Sequence, residues 1–442
     1  MTADAVVIGG GVAGFSAATA LAEAGAQVVL LEARPGLGGR ATAFTDPETG
    51  ERVDNGQHIL MGCYVDTLAL LARIDALDRV RWQAGLALTM VDERGHESVL
   101  KLPPMPSPLH LLGGVLAWDA LSWAERLSIL RVGAALRPGG QNFSSAETVR
   151  EWLTRLGQAP RLCELFWEPL ALAALNQSID QAAASYFVGI LERMFGPDPS
   201  SAALVMPVVP LDELYAEPAR AWLAARGHEV RVNAPAKVVI EGDRVTGVRV
   251  RGDHIAAPVV ISTVPWHALS AVFEEPPAAL AGTIAKATAL GSLPIVTVNL
   301  WFDRPVMHEA LIGLPGRAFQ WVFDRRAIVG GASSHLSMIA SGAETIVSMG
   351  NDELIALALA DVRAALPAAR AAVVRKGLAV REKRSTFSLA PDAPPRPQAE
   401  TAIAGFVLAG DWIDTGLPAT IESAAVSGHR AARMAANLSE PS

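Results

Sequence analysis

Cysteine is nearly absent. Only Cys63 and Cys163 occur in 442 residues, and no metal-like spacing links them. A disulfide framework and a cysteine-built metal centre are therefore excluded as organising elements. Both thiols read as small buried groups of a reduced compartment. Excess positive charge is also missing: 37 Lys and Arg stand against 45 Asp and Glu, a net charge of −8. That balance gives no electrostatic reason to bind nucleic acid, and none globally to bind an anionic membrane. Long hydrophobic runs are missing too. The best candidate, PSPLHLLGGVLAWDALSW (106–123), is interrupted by His110 and Asp119. It falls short of the roughly 18 uninterrupted apolar residues of a spanning helix. No basic leader precedes the first apolar segment, so no signal peptide is expected and the reading is cytoplasmic. What is abundant is core material. The hydrophobic fraction is 51% with a mean hydropathy of +0.29, and the length suggests two to three domains.

The glycines are placed rather than scattered. AVVI (5–8) reads as a buried strand, and Gly9, Gly11 and Gly14 follow it as G-x-G-x-x-G. A helix pattern through Val12 and Ala13 runs to Glu23, and QVVLL (27–31) is a second strand closed by Glu32. In such a unit the glycines give a tight turn, close approach to a pyrophosphate and helix-on-strand packing, while the acidic residue accepts ribose hydroxyls. The next residues, Ala33, Arg34 and then Gly38, Gly39 and Arg40, form E-A-R-x-x-x-G-G-R. A second glycine pair lets the backbone approach a cofactor longer than NAD, and the arginine can meet its phosphate or flavin oxygens. This run resembles the extended FAD fingerprint of the flavin amine oxidase and phytoene desaturase superfamily.

A second strand, turn and helix lie some four hundred residues downstream. GFVLA (405–409) leads into Gly410 and Asp411, and a helix pattern begins near Ala419, Thr420 and Ile421. The resemblance explains the duplication, because in that superfamily FAD lies extended between the two ends of the chain. It implies that Asp411 bonds the ribityl or pyrophosphate side. It also implies that the N–H groups of Ala419, Thr420 and Ile421 face the flavin. Between the two turns, residues 229–265 read as consecutive strands that resemble the superfamily's β-meander, and the adenine contact maps to Val238. The implied fold is α/β. A Rossmann-type FAD-binding domain is assembled from three segments (1–100, 205–265 and 401–442), and an α+β substrate domain comes from 101–204 and 266–400. The Pro-rich run 391–400 reads as a surface connection. The helix-rich run 101–204 reads as plain core, with a lipid tunnel or a helix lying on a membrane as the alternative.

Two features narrow the chemistry. SLPIVTVNLWF (292–302) has no lysine, and Ile295 and Val296 stand where amine oxidases of this fold carry one. The runs VDNGQHILMGCY (53–64), PLDELYAEPARAWLAARGHEVR (210–231) and AGDWIDTGLPATIESAAVSG (409–428) together resemble the squalene-associated FAD-dependent desaturases, a family understood as hydroxysqualene dehydroxylase. This implies a long apolar isoprenoid substrate, reduced flavin as the hydride source, and an electron donor that the sequence does not name. Contact with the cytoplasmic face of a membrane would follow from the substrate's insolubility. Gly56, Gln57 and His58 are expected beside the flavin. His58 is the first candidate acid because its ordinary pKa is nearest neutrality. Tyr64 is the second, and Asp54 lies in the same run. Trp301, Trp321 and Trp412 are candidate π faces for a cation. The alternatives left open are an oxidative carotenoid or isoprenoid desaturase, an amine oxidase, and a flavin-free prenyl-binding protein of the Rab escort type.

Overall fold

The computed structural model describes residues 2–106, 109–137, 144 and 146–439. Ser107 and Pro108 of the 106–123 run lie outside these. A five-stranded sheet sits at the centre, in the order Glu229–Arg231, β2 (Val28–Leu31), β1 (Ala5–Ile8), Val259–Ser262 and Phe406–Leu408. All pairs are parallel, with Ala5 opposite Val28 and Val259. The short runs AVVI and VVLL are buried at every residue. Such runs suit a parallel sheet covered on both faces, where no side chain meets water. Helix α1 (Val12–Glu23) packs against the C-terminal helix Ile421–Ser439 at very close range. A Cβ on Gly428 would stand 2.3 Å from the Ala13 carbonyl oxygen, so glycine sets this crossing. The two ends of the chain are therefore one structural unit.

The run 229–265 divides between sheets instead of forming one meander. Its first and last strands join the parallel sheet, while Ala236–Glu241, Arg244–Val250 and Asp253–Ala256 form a separate antiparallel sheet. A seven-stranded sheet follows the order Val374–Thr386, Leu293–Phe302, Ser334–Ala340, Trp321–Asp324, Leu311–Gly313, Ala87–Val91 and Glu97–Lys101. Its last two strands come from before residue 102, so this sheet draws on more chain than 266–400. Alternation along Leu293–Phe302 splits its side chains. Val296, Val298 and Leu300 pack toward the helix Asn351–Ala365, whereas Ile295 joins the core shared with the helical layer. In that layer Trp152 and Trp167 meet Phe187 edge-on, with ring centroids 6.5 and 6.0 Å apart. Among the described residues no helix is long and apolar enough to cross a membrane. No group of residues among them could hold a metal ion. Burial pushes the Cys63 thiol up to about 11 and raises Cys163 as well, so both stay protonated.

Candidate active site: two cradles and a buried ion pair

The N-terminal turn is fixed by sterics. Gly9 adopts φ +114°, and a Cβ on Gly14 would lie 1.9 Å from the Gly9 carbonyl oxygen. Gly11 differs: the nearest atom to an added Cβ is Gly39 Cα at 3.9 Å. Packing alone does not require glycine at that position, whereas a ligand lying against the backbone would. Among the described residues no acceptor meets the N–H groups of Gly11, Val12 or Ala13, at the positive end of α1. Glu32 is buried. Its two oxygens accept the N–H groups of Gly10 and Arg34, each at 2.8 Å. A carboxylate has about four lone-pair sites, so acceptor capacity remains for ribose hydroxyls. Ala33 and Arg34 stand exposed at the rim.

The second glycine pair is held from several sides. Gly38 and Gly39 take φ +105° and +61°, where only glycine is unstrained. The buried Tyr215 hydroxyl hydrogen-bonds the carbonyl oxygens of Gly38 and Ala41, at 2.6 and 3.1 Å. The Arg40 guanidinium donates to the Ser385 carbonyl at 2.7 Å and pairs with Asp411. It also lies over the Trp266 ring at 5.3 Å. Arg40 and Asp411 thus pair with each other and join the two cradles across 371 residues. The C-terminal turn is tied back in turn. Gly410 N–H donates to Ser427 Oγ at 2.8 Å, and Trp412 Nε1 donates to the Val264 carbonyl at 2.9 Å. Thr420 Oγ1 caps the helix by accepting Ser423 N–H at 3.1 Å. The N–H groups of Ala419, Thr420 and Ile421 find no acceptor among the described residues. Val238 lies on the edge strand of the three-stranded sheet, paired with Val248 on one side.

The DNGQH run is anchored by a residue that sequence reasoning missed. Arg325 is buried, and its Nη1 bonds Asp54 Oδ2 at 2.6 Å and also Gln57 Oε1. Asp54 Oδ1 accepts Leu211 N–H at 2.9 Å. Burial nevertheless raises the Asp54 carboxyl above its ordinary value, against the pull of Arg325. Asp54 is thereby a buried structural partner of Arg325. His58 Nδ1 lies 2.7 Å from the Gly56 carbonyl oxygen. A carbonyl only accepts, so Nδ1 carries a proton. Burial depresses the His58 pKa, with Arg40 adding to the effect against Gly56 and Asp54. The ring is therefore neutral near pH 7, and its Nε2 is an acceptor. Tyr64 stands at the N-terminus of the helix Val65–Arg73. Burial raises its phenol, which stays a proton donor. That helix start is bound to the other cradle by Glu422, whose oxygens accept the N–H groups of Asp66 and Thr67 at 3.0 and 2.9 Å.

The three tryptophans separate. Trp412 is fully buried beneath its turn. Trp301 is stacked on His335 at 4.2 Å and donates to Glu51 Oε2 at 2.9 Å. Trp321 alone remains half-buried, and its Nε1 has no partner among the described residues. The Pro-rich connection is not wholly a surface feature. Arg396 is buried, and its Nη1 donates to the Leu417 carbonyl at 2.7 Å beneath the C-terminal turn. Arg325 and Arg396 each stand beside no glycine or motif, so the sequence carries no local signal for them. Tyr215 and Glu422 lie inside quoted runs, but their partners are 174 or more residues away.

Two helix N-termini with free N–H groups, a glycine with no packing reason and a buried carboxylate between them fit a long dinucleotide carrying a pyrophosphate. Comparison with known proteins agrees. Residues 12–435 match the family of flavin containing amine oxidoreductases. The 15-cis-phytoene desaturase of Narcissus pseudonarcissus is 27% identical over 458 residues, covering 96% of this chain and 78% of that one. A hydroxysqualene dehydroxylase of Rhodopseudomonas palustris is 29% identical over 441 residues, covering 96% of both. An oxidoreductase structure from Methanosarcina mazei superposes with a TM-score of 0.76 at 17% identity, over 97% of this chain and 99% of that one. The chain belongs to the flavin-containing amine oxidoreductase family. It is an oxidoreductase whose cofactor is FAD.

Proposed function

We propose that this protein reduces hydroxysqualene, an allylic alcohol on a long isoprenoid, to squalene. The observation that carries the reading is polar. Thr297, Ile339 and Trp321 are register partners across three strands and so share one face of the seven-stranded sheet; Asn299, two residues along, shares it too. Thr297 Oγ1, Asn299 Nδ2 and Trp321 Nε1 are buried atoms without a partner among the described residues. Each unsatisfied group costs ~1–3 kcal/mol. A pure hydrocarbon satisfies none of them, whereas an alcohol brings one donor and one acceptor to this face. The match to the Rhodopseudomonas palustris dehydroxylase along 96% of both chains supports the same reading.

FAD, when bound and reduced, supplies a hydride. Gly9, Gly11, Val12, Ala13 and Gly14 would hold its pyrophosphate, Glu32 its ribose, and Val238 its adenine. Gly38, Gly39, Arg40, Gly410 and Asp411 would shape the passage between the cradles. Ala419, Thr420 and Ile421 would present N–H groups to the flavin, with Gly56, Gln57 and His58 beside it. In the reaction the allylic C–O bond breaks, the departing oxygen takes a proton to leave as water, and a C–H bond forms at the cationic carbon. The chain's tasks are to protonate that oxygen, to keep other water out, and to orient the alcohol. Tyr64 holds a proton at neutral pH. His58, neutral with Nδ1–H committed to Gly56, acts as an acceptor that orients the site. No lysine lies on the strand Leu293–Phe302. Lys376, opposite Trp301, is held by Asp46 and Glu48 at 2.7 and 2.8 Å, which disfavours amine oxidation. An oxidative desaturase is the second reading, favoured by the phytoene desaturase relatives.

The test is to incubate dithionite-reduced protein with hydroxysqualene in detergent without oxygen and to assay squalene by mass spectrometry. Squalene formed only with reduced protein is expected. No squalene from protein whose flavin is bound and reduced would overturn the reading.

A further inference from the structure

The helical layer carries a surface feature that the site does not use. Twelve large hydrophobic residues stand exposed among the described residues, and six of them fall between positions 99 and 130: Val99, Met105, Leu109, Trp123, Leu127 and Leu130. They belong to one small unit, the strand Glu97–Lys101 and the helices Leu109–Ala117 and Trp123–Ala135, which pack on one another. The second helix is apolar on opposite sides. Ile129 and Val132 point into the main core, 1% exposed each. At ~100° per residue, Trp123, Leu127 and Leu130 form a stripe on the other side within ~60° of one another. Trp123 is 67% exposed. An ordinary surface helix turns a polar face outward, so this pattern is that of a helix with a second apolar environment.

The flanks of the stripe are basic. By the same ~100° spacing, Arg126 and Arg131 lie on either side of it. The Arg126 guanidinium stands 4.9 Å from the Trp123 ring centroid and donates to the Leu121 and Leu116 carbonyls, each at 2.8 Å. Residues 97–137 hold four basic residues (Lys101, Arg126, Arg131, Arg137) and three acidic ones (Glu97, Asp119, Glu125), a local charge of +1 in a chain of net −8. Glu125 is spent on the helix cap, accepting Ser122 N–H at 2.7 Å. The charge sign is therefore reversed locally, around an apolar stripe with a tryptophan at its end. A second copy of the chain is a poor occupant, because a two-fold contact would set these arginines against each other. An anionic lipid surface suits both features.

We infer that the outward face of the helix Trp123–Ala135, with Leu109 and Met105 beside it, seats the protein on an anionic bilayer surface, the apolar stripe entering the headgroup–acyl boundary and the exposed Arg131 and Arg137 meeting lipid phosphates. The inference does not depend on which isoprenoid is the substrate. It is tested by flotation of the FAD-loaded protein with vesicles of phosphatidylcholine alone or containing phosphatidylglycerol. Co-flotation is expected with the mixed vesicles and is lost in the triple variant Trp123→Ser, Leu127→Ser, Leu130→Ser. Arg131→Glu with Arg137→Glu lowers vesicle affinity by ~5-fold or more. Both variants change only exposed positions, so flavin absorbance and far-UV circular dichroism stay as in the parent. The inference fails if the parent remains unbound on both vesicles, or if the triple variant floats like the parent. It also fails if light scattering finds a dimer that the triple substitution dissolves while vesicles bind nothing, which would give the face to a second copy.

Discussion

Removing Arg325 tests whether the DNGQH run is held by one buried ion pair. Arg325→Met keeps the side chain's length and apolar stem but deletes the charge. Asp54 then keeps only the Leu211 N–H, in a site where it is 4% exposed. Removing one partner of a buried pair costs ~3–5 kcal/mol, since the other charge stays buried without compensation. With an unfolding entropy of ~2.1 cal/mol/K per residue, a chain of this length loses ~1 °C of Tm per kcal/mol, so Tm falls by ~3–5 °C. The double variant Asp54→Asn, Arg325→Met removes both charges and should recover at least ~2 kcal/mol of that loss. The pH dependence has a definite sign. Burial already holds the Asp54 carboxyl above its ordinary value, and without Arg325 it rises further. A carboxyl raised in the folded state is stabilised by protonation, so the deficit of Arg325→Met is largest near pH 8 and shrinks toward pH 5. Differential scanning calorimetry of the four proteins at the two pH values measures this. Two single variants each within ~1 °C of the parent, with additive effects and no pH trend, would refute the reasoning.

Three further predictions concern the cofactor, the glycine contacts and a buried histidine. Gly11→Ala meets no protein atom nearer than 3.9 Å, so it should fold normally yet lose FAD, read as absorbance near the flavin band. Gly428→Val drives its side chain into the Ala13 carbonyl, 2.3 Å from the added Cβ, and should lower both Tm and flavin content. Burial lowers His335 to about 3, with Arg325 adding to the effect. Its stabilising contribution is therefore complete above its unfolded value near ~6.5 and is lost as pH falls, by about 2 kcal/mol at pH 5. His335→Asn should flatten that slope in thermal melts taken between pH 7 and 5.

What could be read in the sequence was local. Gly9, Gly14, Gly38 and Gly39 declare themselves because each satisfies a backbone constraint within a few residues, and the β1–α1–β2 unit follows from runs buried on every side. The Arg40–Asp411 pair is legible only as two separate motifs, because each residue lies in its own cofactor-type turn and 371 residues separate them. Arg325 was invisible. Its partner Asp54 is 271 residues away and its own neighbourhood, WVFDRRAIV, looks like any strand end. Arg396 was read as part of a surface connection because proline signals the loop, while nothing in PPRPQ signals the carbonyl cluster that receives its guanidinium. The ordinary pKa of an imidazole marks His58 in the sequence as an acid, and burial, with Arg40 nearby, lowers it from that value. The strands Ala87–Val91 and Glu97–Lys101 were placed with the cofactor unit because sequence order says nothing about which sheet edge is free.

The flavin spectrum tests directly whether this flavoprotein runs reductively on an oxygenated isoprenoid. Photoreduced protein is mixed without oxygen with hydroxysqualene, and oxidised protein with phytoene, each in detergent. Hydroxysqualene is expected to restore the oxidised flavin absorbance of the reduced protein as squalene forms, and phytoene to leave the oxidised protein unchanged. Bleaching of the oxidised protein by phytoene, with no response of the reduced protein to hydroxysqualene, would contradict the reductive reading.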